Sequence, residues 1–262
     1  FDTVHAPLPG IDRIGDLAQI EAGTIGDREL AALERKARTL RASSDRAVIL
    51  YCGTGILSRA LRLRGFEAFM TDMILEETYA HALVDRILER RLRTLRRCLD
   101  RLAPWVDLVE CSDDLGSQNG PLLDPAQYKA FIAPAHAALF AEVHRFGKPV
   151  LMHSCGSIAA FLPTLAEIGA DILNPVQTTA RDMDPVFLKR EFGRDFTFWG
   201  GGCDTQGVLP HGTPQQVMDH VRRQVDILGR GGGYVFAQVH NLQPDVPVAN
   251  LLAMYRAVGA LA

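Results

Sequence analysis

The stretch 149–200, PVLMHSCGSIAAFLPTLAEIGADILNPVQTTARDMDPVFLKREFGRDFTFWG, decides the fold. It holds three short apolar runs, 149–153 (PVLMH), 171–176 (DILNPV) and 196–200 (FTFWG), separated by stretches of helical period. Each run is too short for a buried helix and continuous enough for a strand covered on both faces, as in a parallel sheet. The same rhythm continues upstream at 47–52 (AVILYC) and 106–111 (VDLVEC) and downstream at 233–239 (GYVFAQV). Asp124-Pro125, Asp184-Pro185 and Thr213-Pro214 each pair an N-cap residue with proline at the first helical position. They predict helices over 125–146, 185–192 and 214–228, with Gly147, Gly193 and Gly229 where those helices should stop. The stretch from about 75 to 102, dense in Leu and Arg, reads as the longest helix, its arginines as a solvated face.

Strands alternating with helices imply a parallel α/β fold, either a doubly wound sheet or a (β/α)8 barrel, and the six runs alone do not choose. A dinucleotide-binding sheet would carry G-x-G-x-x-G after its first strand, but Gly53 and Gly55 lack the third glycine. Gly231-Gly232-Gly233 precedes a strand, the wrong side for cradling phosphate. With no P-loop, repeat, low-complexity segment or linker, one domain is expected over 1–262, and a barrel is favoured.

The 262 residues carry 28 Lys+Arg against 31 Asp+Glu, a net charge of -3, with no long basic run. That balance argues against nucleic acid or an anionic membrane as partner. No apolar stretch reaches a membrane span and the N-terminus shows no signal pattern, so a soluble cytoplasmic protein is expected. Five cysteines in a long chain of ordinary core composition do not read as a disulfide framework. The chain begins with Phe1, and a further N-terminal portion is expected upstream.

Ligands of parallel α/β folds bind at the carboxyl ends of the strands. Those ends carry Cys52, Cys111, Asp113, Asp114, His153, Cys155, Asn174, Gln177, Cys203, Asp204, Gln206, His240, Asn241 and Gln243. Residues two apart on an extended strand point to one side, so the His153 imidazole and the Cys155 thiolate can reach one metal ion. Zinc suits such a mixed set, with a third ligand from His240, Cys203 or Cys111 and an open fourth position. The plainer reading is an accidental pair at the edge of a core. One carboxyl of Asp113-Asp114 is expected to have a pKa raised by burial and by its neighbour, suiting a general acid. Alternatively the two cap a loop; Asp204 is a third catalytic candidate. Asn174, Gln177, Gln206, Asn241 and Gln243 either orient a polar substrate or satisfy backbone groups in tight loops. Cys98 reads as a packing residue. His5, His81, His136, His144, His211 and His220 read as surface or helix residues, and Trp105 and Trp199 as core or pocket wall.

The series HSCGS (153–157), DILNPVQ (171–177), FWGGGCDTQ (198–206), LPHGTPQQV (209–217), GGGYVFAQVHN (231–241) and VPVANLLAMY (246–255), with DDLGSQNGPLLDPAQYKAFIAPAHAALF (113–140) upstream, resembles the uroporphyrinogen decarboxylase superfamily. The resemblance implies a (β/α)8 TIM-type barrel that lacks early N-terminal elements in this chain. Within the superfamily, the H-x-C pair is similar to the zinc-binding corrinoid methyltransferases of the methylcobalamin:coenzyme M type, whose third ligand is a later Cys. His240 stands near that later position here, and Cys203 is the thiolate alternative. The resemblance therefore implies zinc-dependent methyl transfer between a corrinoid (methylcobalamin or a corrinoid protein) and a thiol or methoxylated small molecule. Asp113 or Asp114 would manage the proton and Gln177 with Gln206 would place the substrate. A homodimer is a candidate assembly. Two alternatives stand: a metal-independent decarboxylase of a tetrapyrrole or other carboxylated substrate, and a non-catalytic barrel that binds a metal or corrinoid.

Overall fold

Each of the six apolar runs forms a strand in the computed structural model, which describes residues 13–20 and 24–261 without the side chains of Gln19, Cys52 and Thr54. His5 and the Cys52 thiol lie outside the described residues. The strands are β1 Ile49–Thr54, β2 Leu108–Ser112, β3 Val150–His153, β4 Ile172–Asn174, β5 Thr197–Trp199 and β6 Tyr234–Val235. They follow one another in chain order along one sheet. The pairs β1–β2, β4–β5 and β5–β6 are parallel, with Ile49 opposite Leu108, Ile172 opposite Thr197 and Phe198 opposite Tyr234. A doubly wound sheet reverses its strand order at a switch point, whereas a barrel keeps it. The uninterrupted order makes this sheet barrel-type and resolves the choice that the runs left open.

The helices are α1 Asp27–Ser43, α2 Ile56–Arg64, α3 Phe66–Leu75, α4 Glu77–Leu102, α5 Pro125–Gln127, α6 Ala133–Arg145, α7 Leu162–Glu167, α8 Pro185–Phe192, α9 Val208–His211, α10 Pro214–Leu228 and α11 Val248–Ala257. All three predicted caps form: Asp124 accepts from the Ala126 N–H, Asp184 from the Phe187 N–H, and Thr213 and Gln216 make a reciprocal capping box. The helix expected over 125–146 is interrupted by a wide π turn at Tyr128–Ile132. Pro134 explains it, because proline lacks an N–H and its ring crowds the carbonyl four residues back. The helix expected from about 75 begins at Glu77, after α3 ends at Leu75. Upstream, α2 and α3 meet at Gly65, whose φ of 95° suits glycine, and neither helix was read from the sequence.

The chain packs as two compact units. The first takes in Phe1–Asp114, Leu123–Met152 and Pro163–Ala170. Here α4 buries a stripe at helical spacing, Tyr79, Leu83, Ile87, Leu95, Leu99 and Leu102, against α1, α2, α3 and α6. Cys98 lies in that core, as expected. The α4 arginines are not a free solvated face: Arg97 pairs with Asp27, Arg101 with Glu34 and Arg96 with the buried Glu142. The second unit takes in Leu115–Leu122, His153–Leu162 and Asp171–Ala262. Its core is Cys203, Leu209, Val217, Val221, Ala253 and Met254, where α10 packs on α11. Among the described residues no helix is long and apolar enough to cross a membrane.

Candidate metal centre

β3 ends at His153, and the chain leaves the sheet through Ser154 and Cys155. The alternation of an extended chain brings the two expected ligands to one side, with Cys155 Sγ 3.6 Å from His153 Nε2. His240, beyond β6, completes the group. One ligand atom from each of His153, Cys155 and His240 lies within 4.8 Å of the others, and the first two residues are half-buried while His240 is exposed. His240 is held in the left-handed backbone region at φ 67°, which is uncommon for a residue with a Cβ and gathers at functional sites. Its neighbour is fixed twice: the Val239 N–H donates to the Cys203 carbonyl at 2.9 Å, and the Thr205 hydroxyl donates to the Val239 carbonyl at 2.7 Å.

The end of β4 lies against the pair. Asn174 Oδ1 is 2.5 Å from His153 Nδ1, and Asn174 Nδ2 donates to the Trp199 carbonyl at 3.0 Å. Gln177 Oε1 accepts from the Gly156 N–H at 2.9 Å, and its Nε2 donates to Gln118 Oε1 at 2.6 Å. All these residues belong to the second unit.

Other predicted residues fall elsewhere. Cys203 is not among the three whose ligand atoms converge; it is fully buried among Leu209, Val217 and Val221. Burial, reinforced by Asp204, pushes its thiol up to about 12. Its place in that core, outside the converging group, corrects Cys203 from an alternative third ligand to a core residue. Cys111 is buried in β2 of the first unit. Asp204 is corrected as well: its carboxylate is occupied by the N–H groups of Gln206, Gly207 and Val208 at 2.9, 2.9 and 3.0 Å, at the start of α9. Gln206, Asn241 and Gln243 are exposed, and Gln206 accepts from the Thr179 hydroxyl at 3.4 Å.

Asp113 and Asp114 belong to the first unit. The expected raised pKa does not hold for Asp113. Burial does push it upward, but the His136 hydrogen bond and charge, with the Ser58 hydroxyl and N–H, outweigh that and hold the carboxyl below its ordinary value. Its two oxygens accept from Leu57 N, Ser58 N and the Ser58 hydroxyl at 2.7, 2.7 and 2.6 Å, so it serves as an ionised cap of α2 instead of a general acid. His136, read from sequence only as a surface or helix residue, is buried with Nε2 3.0 Å from Asp113 and Nδ1 3.0 Å from the Tyr128 hydroxyl. The one signal available was its spacing from Tyr128 on the same helical stretch; nothing local pointed to Asp113. Asp114 is half-buried.

Residues 8–261 match the family model described as uroporphyrinogen decarboxylase (URO-D). The chain belongs to the URO-D family. One curated relative is a methylated-thiol–coenzyme M methyltransferase of Methanosarcina mazei, 29% identical over 146 residues, which are 54% of this chain and 35% of that protein. Another is a uroporphyrinogen decarboxylase of Anaeromyxobacter, 24% identical over 204 residues, 76% of this chain and 53% of that protein. The chain thus spans about a third to a half of the relatives it matches. In fold, the URO-D chain resembles a solved methyltransferase from Methanosarcina mazei with a TM-score of 0.72 at 15% identity, covering 96% of this chain and 69% of that one. That likeness supports the barrel-type reading of the sheet.

Proposed function

We propose that this URO-D family chain carries the zinc centre of an enzyme that transfers methyl groups between a corrinoid and a thiol or methoxylated small molecule. The observation that carries the reading is the convergence of His153, Cys155 and His240, with ligand atoms within 4.8 Å of one another. Two imidazoles and one thiolate suit zinc, and three protein ligands leave the fourth position that catalytic zinc sites keep open. A bound zinc ion supplies Lewis acidity there, lowering the pKa of a thiol or polarising an ether oxygen. The residues do the rest. Cys155 is the one anionic ligand, so the centre keeps a net positive charge and favours an anionic fourth partner such as a substrate thiolate. His153 presents Nε2 toward Cys155, and His240 closes the set from the exposed side. Exposure at His240 gives a thiol's proton a path to water and gives a corrinoid, free or on a partner protein, room to approach.

The methyltransferase relative supports this reading by the activity in its name; the decarboxylase relative, which matches a larger share of the chain, makes metal-independent decarboxylation the second reading. The deciding experiment is elemental analysis of protein purified without added metal, beside a His153→Ala, Cys155→Ala double variant. About one zinc per chain in the parent and none in the variant is expected, followed by methyl exchange between methylcobalamin and simple thiols. No metal in either, with the thiols protected, overturns the proposal in favour of decarboxylation.

A further inference from the structure

We infer that Asn174 and Gln177 are positioning residues for His153 and Cys155 and do not read the substrate. This rests on the metal reading above, but its first test does not.

The orientation of the Asn174 amide is fixed by chemistry. The Trp199 carbonyl can only accept, so the atom facing it at 3.0 Å must be Nδ2, and Oδ1 therefore faces His153 Nδ1 at 2.5 Å. An amide oxygen also only accepts, so Nδ1 carries the proton. In the neutral ring this leaves the lone pair on Nε2, the nitrogen 3.6 Å from Cys155 Sγ. The opposite tautomer would bring two acceptors together at Asn174 and point an N–H where a metal ligand needs a lone pair. An outer partner of this kind orients a metal-binding histidine and selects its tautomer.

Gln177 does the same for the other ligand through the backbone. Its Oε1 holds the peptide that follows Cys155, at a glycine whose φ is +80° and whose added Cβ would come within 2.5 Å of Gly116. Its other end is tied to Gln118, whose own Nε2 donates to the Thr179 carbonyl at 2.7 Å. Both amides are thus engaged at both ends, one holding a ring and the other a turn. The four residues from Asn174 at the end of β4 to Gln177 orient both members of the H-x-C pair.

The first test is long-range 15N–1H NMR of the His153 ring in metal-free protein, at a pH where the ring is neutral. The wild-type ring is expected to be protonated at Nδ1, with Asn174→Ala shifted toward Nε2–H. The second is zinc affinity by competition with a chromogenic chelator. Asn174→Ala and Gln177→Ala are each expected to weaken it ~10–100-fold while keeping a cooperative thermal unfolding transition, which guards against a mere folding failure. A wild-type ring protonated at Nε2, or alanine variants with unchanged zinc affinity and only a raised KM, would overturn the inference. A wild-type chain with the Nδ1–H tautomer but no zinc affinity would sink the proposed function and still support Asn174 as the residue that sets the His153 tautomer.

Discussion

Gly55 lacks a side chain because the Asp113 carboxylate occupies its place: a Cβ added there would lie 2.1 Å from Asp113 Cγ. α2 therefore begins at a residue that cannot cap it, and the cap arrives from the end of β2, more than fifty residues away in the chain. An anion at a helix N-terminus satisfies the unpaired N–H groups and the helix dipole together. Gly55→Ala should displace that carboxylate within a packed interior, costing about 1–3 kcal/mol. Urea unfolding at neutral pH measures it, and a stability equal to wild type would refute the close approach.

The same carboxylate gives an acid-side pH dependence. Its folded pKa lies below the ordinary value, because the hydrogen bonds from His136 and Ser58 outweigh burial. The linked stability is therefore fully present above the unfolded value of about 3.9 and is lost as pH falls through the lower folded value. Asp113→Asn should lower stability at pH 7 by about 3 kcal/mol and flatten the stability curve below pH ~4. Parallel curves for wild type and variant would show that the carboxylate's charge does not matter.

Cys155 and Cys203 should differ sharply in thiol chemistry. Cys155 is half-buried at the candidate centre, whereas Cys203 is fully buried with its thiol pushed up to about 12. In chelator-treated native protein, a disulfide reagent is expected to modify Cys155 quickly and Cys203 only on unfolding, and Cys203→Ala should keep the zinc stoichiometry of the parent. Loss of zinc in Cys203→Ala with the fold intact would restore it as a ligand.

His240 supplies the third donor from outside the H-x-C motif. His240→Ala should weaken zinc by more than the ~10–100-fold typical of an outer-shell change, while the melting temperature of the metal-free protein stays near wild type because the side chain is exposed. Chelator competition and thermal unfolding separate the two effects. Unchanged affinity would remove His240 from the centre.

Asn250 on α11 donates both amide hydrogens, to the Leu209 and Gly212 carbonyls at 2.8 Å each, while only 2% exposed. Asn250→Ala leaves two carbonyls without that partner and should cost about 2–4 kcal/mol. Asn250→Asp, which sets an acceptor against two acceptors, should cost at least as much. Denaturant midpoints test both, and a tolerated aspartate would mean that the loop after α9 does not depend on this amide.

Local physics made much of this protein legible. The six buried runs announced six strands, and Asp124, Asp184 and Thr213 announced helix starts, because strand burial and N-caps are written in residues adjacent in the chain. The H-x-C pair was equally local, since two residues on one strand end share a side whatever the rest of the chain does. What the tertiary structure alone decided depended on distant partners. Sequence placed one histidine and two cysteines as candidates for the third donor, and only packing separated them, burying Cys203 in the α10–α11 core and Cys111 in β2 and leaving His240 beside His153. Asp113 looked like an acid with a raised pKa because burial was foreseeable and His136 was not. Sequence left Asn174 and Gln177 between orienting a substrate and satisfying backbone groups, because it shows that an amide has hydrogen bonds to make, while the partners that take them, Trp199, His153, Gly156 and Gln118, are brought within reach only when the chain folds.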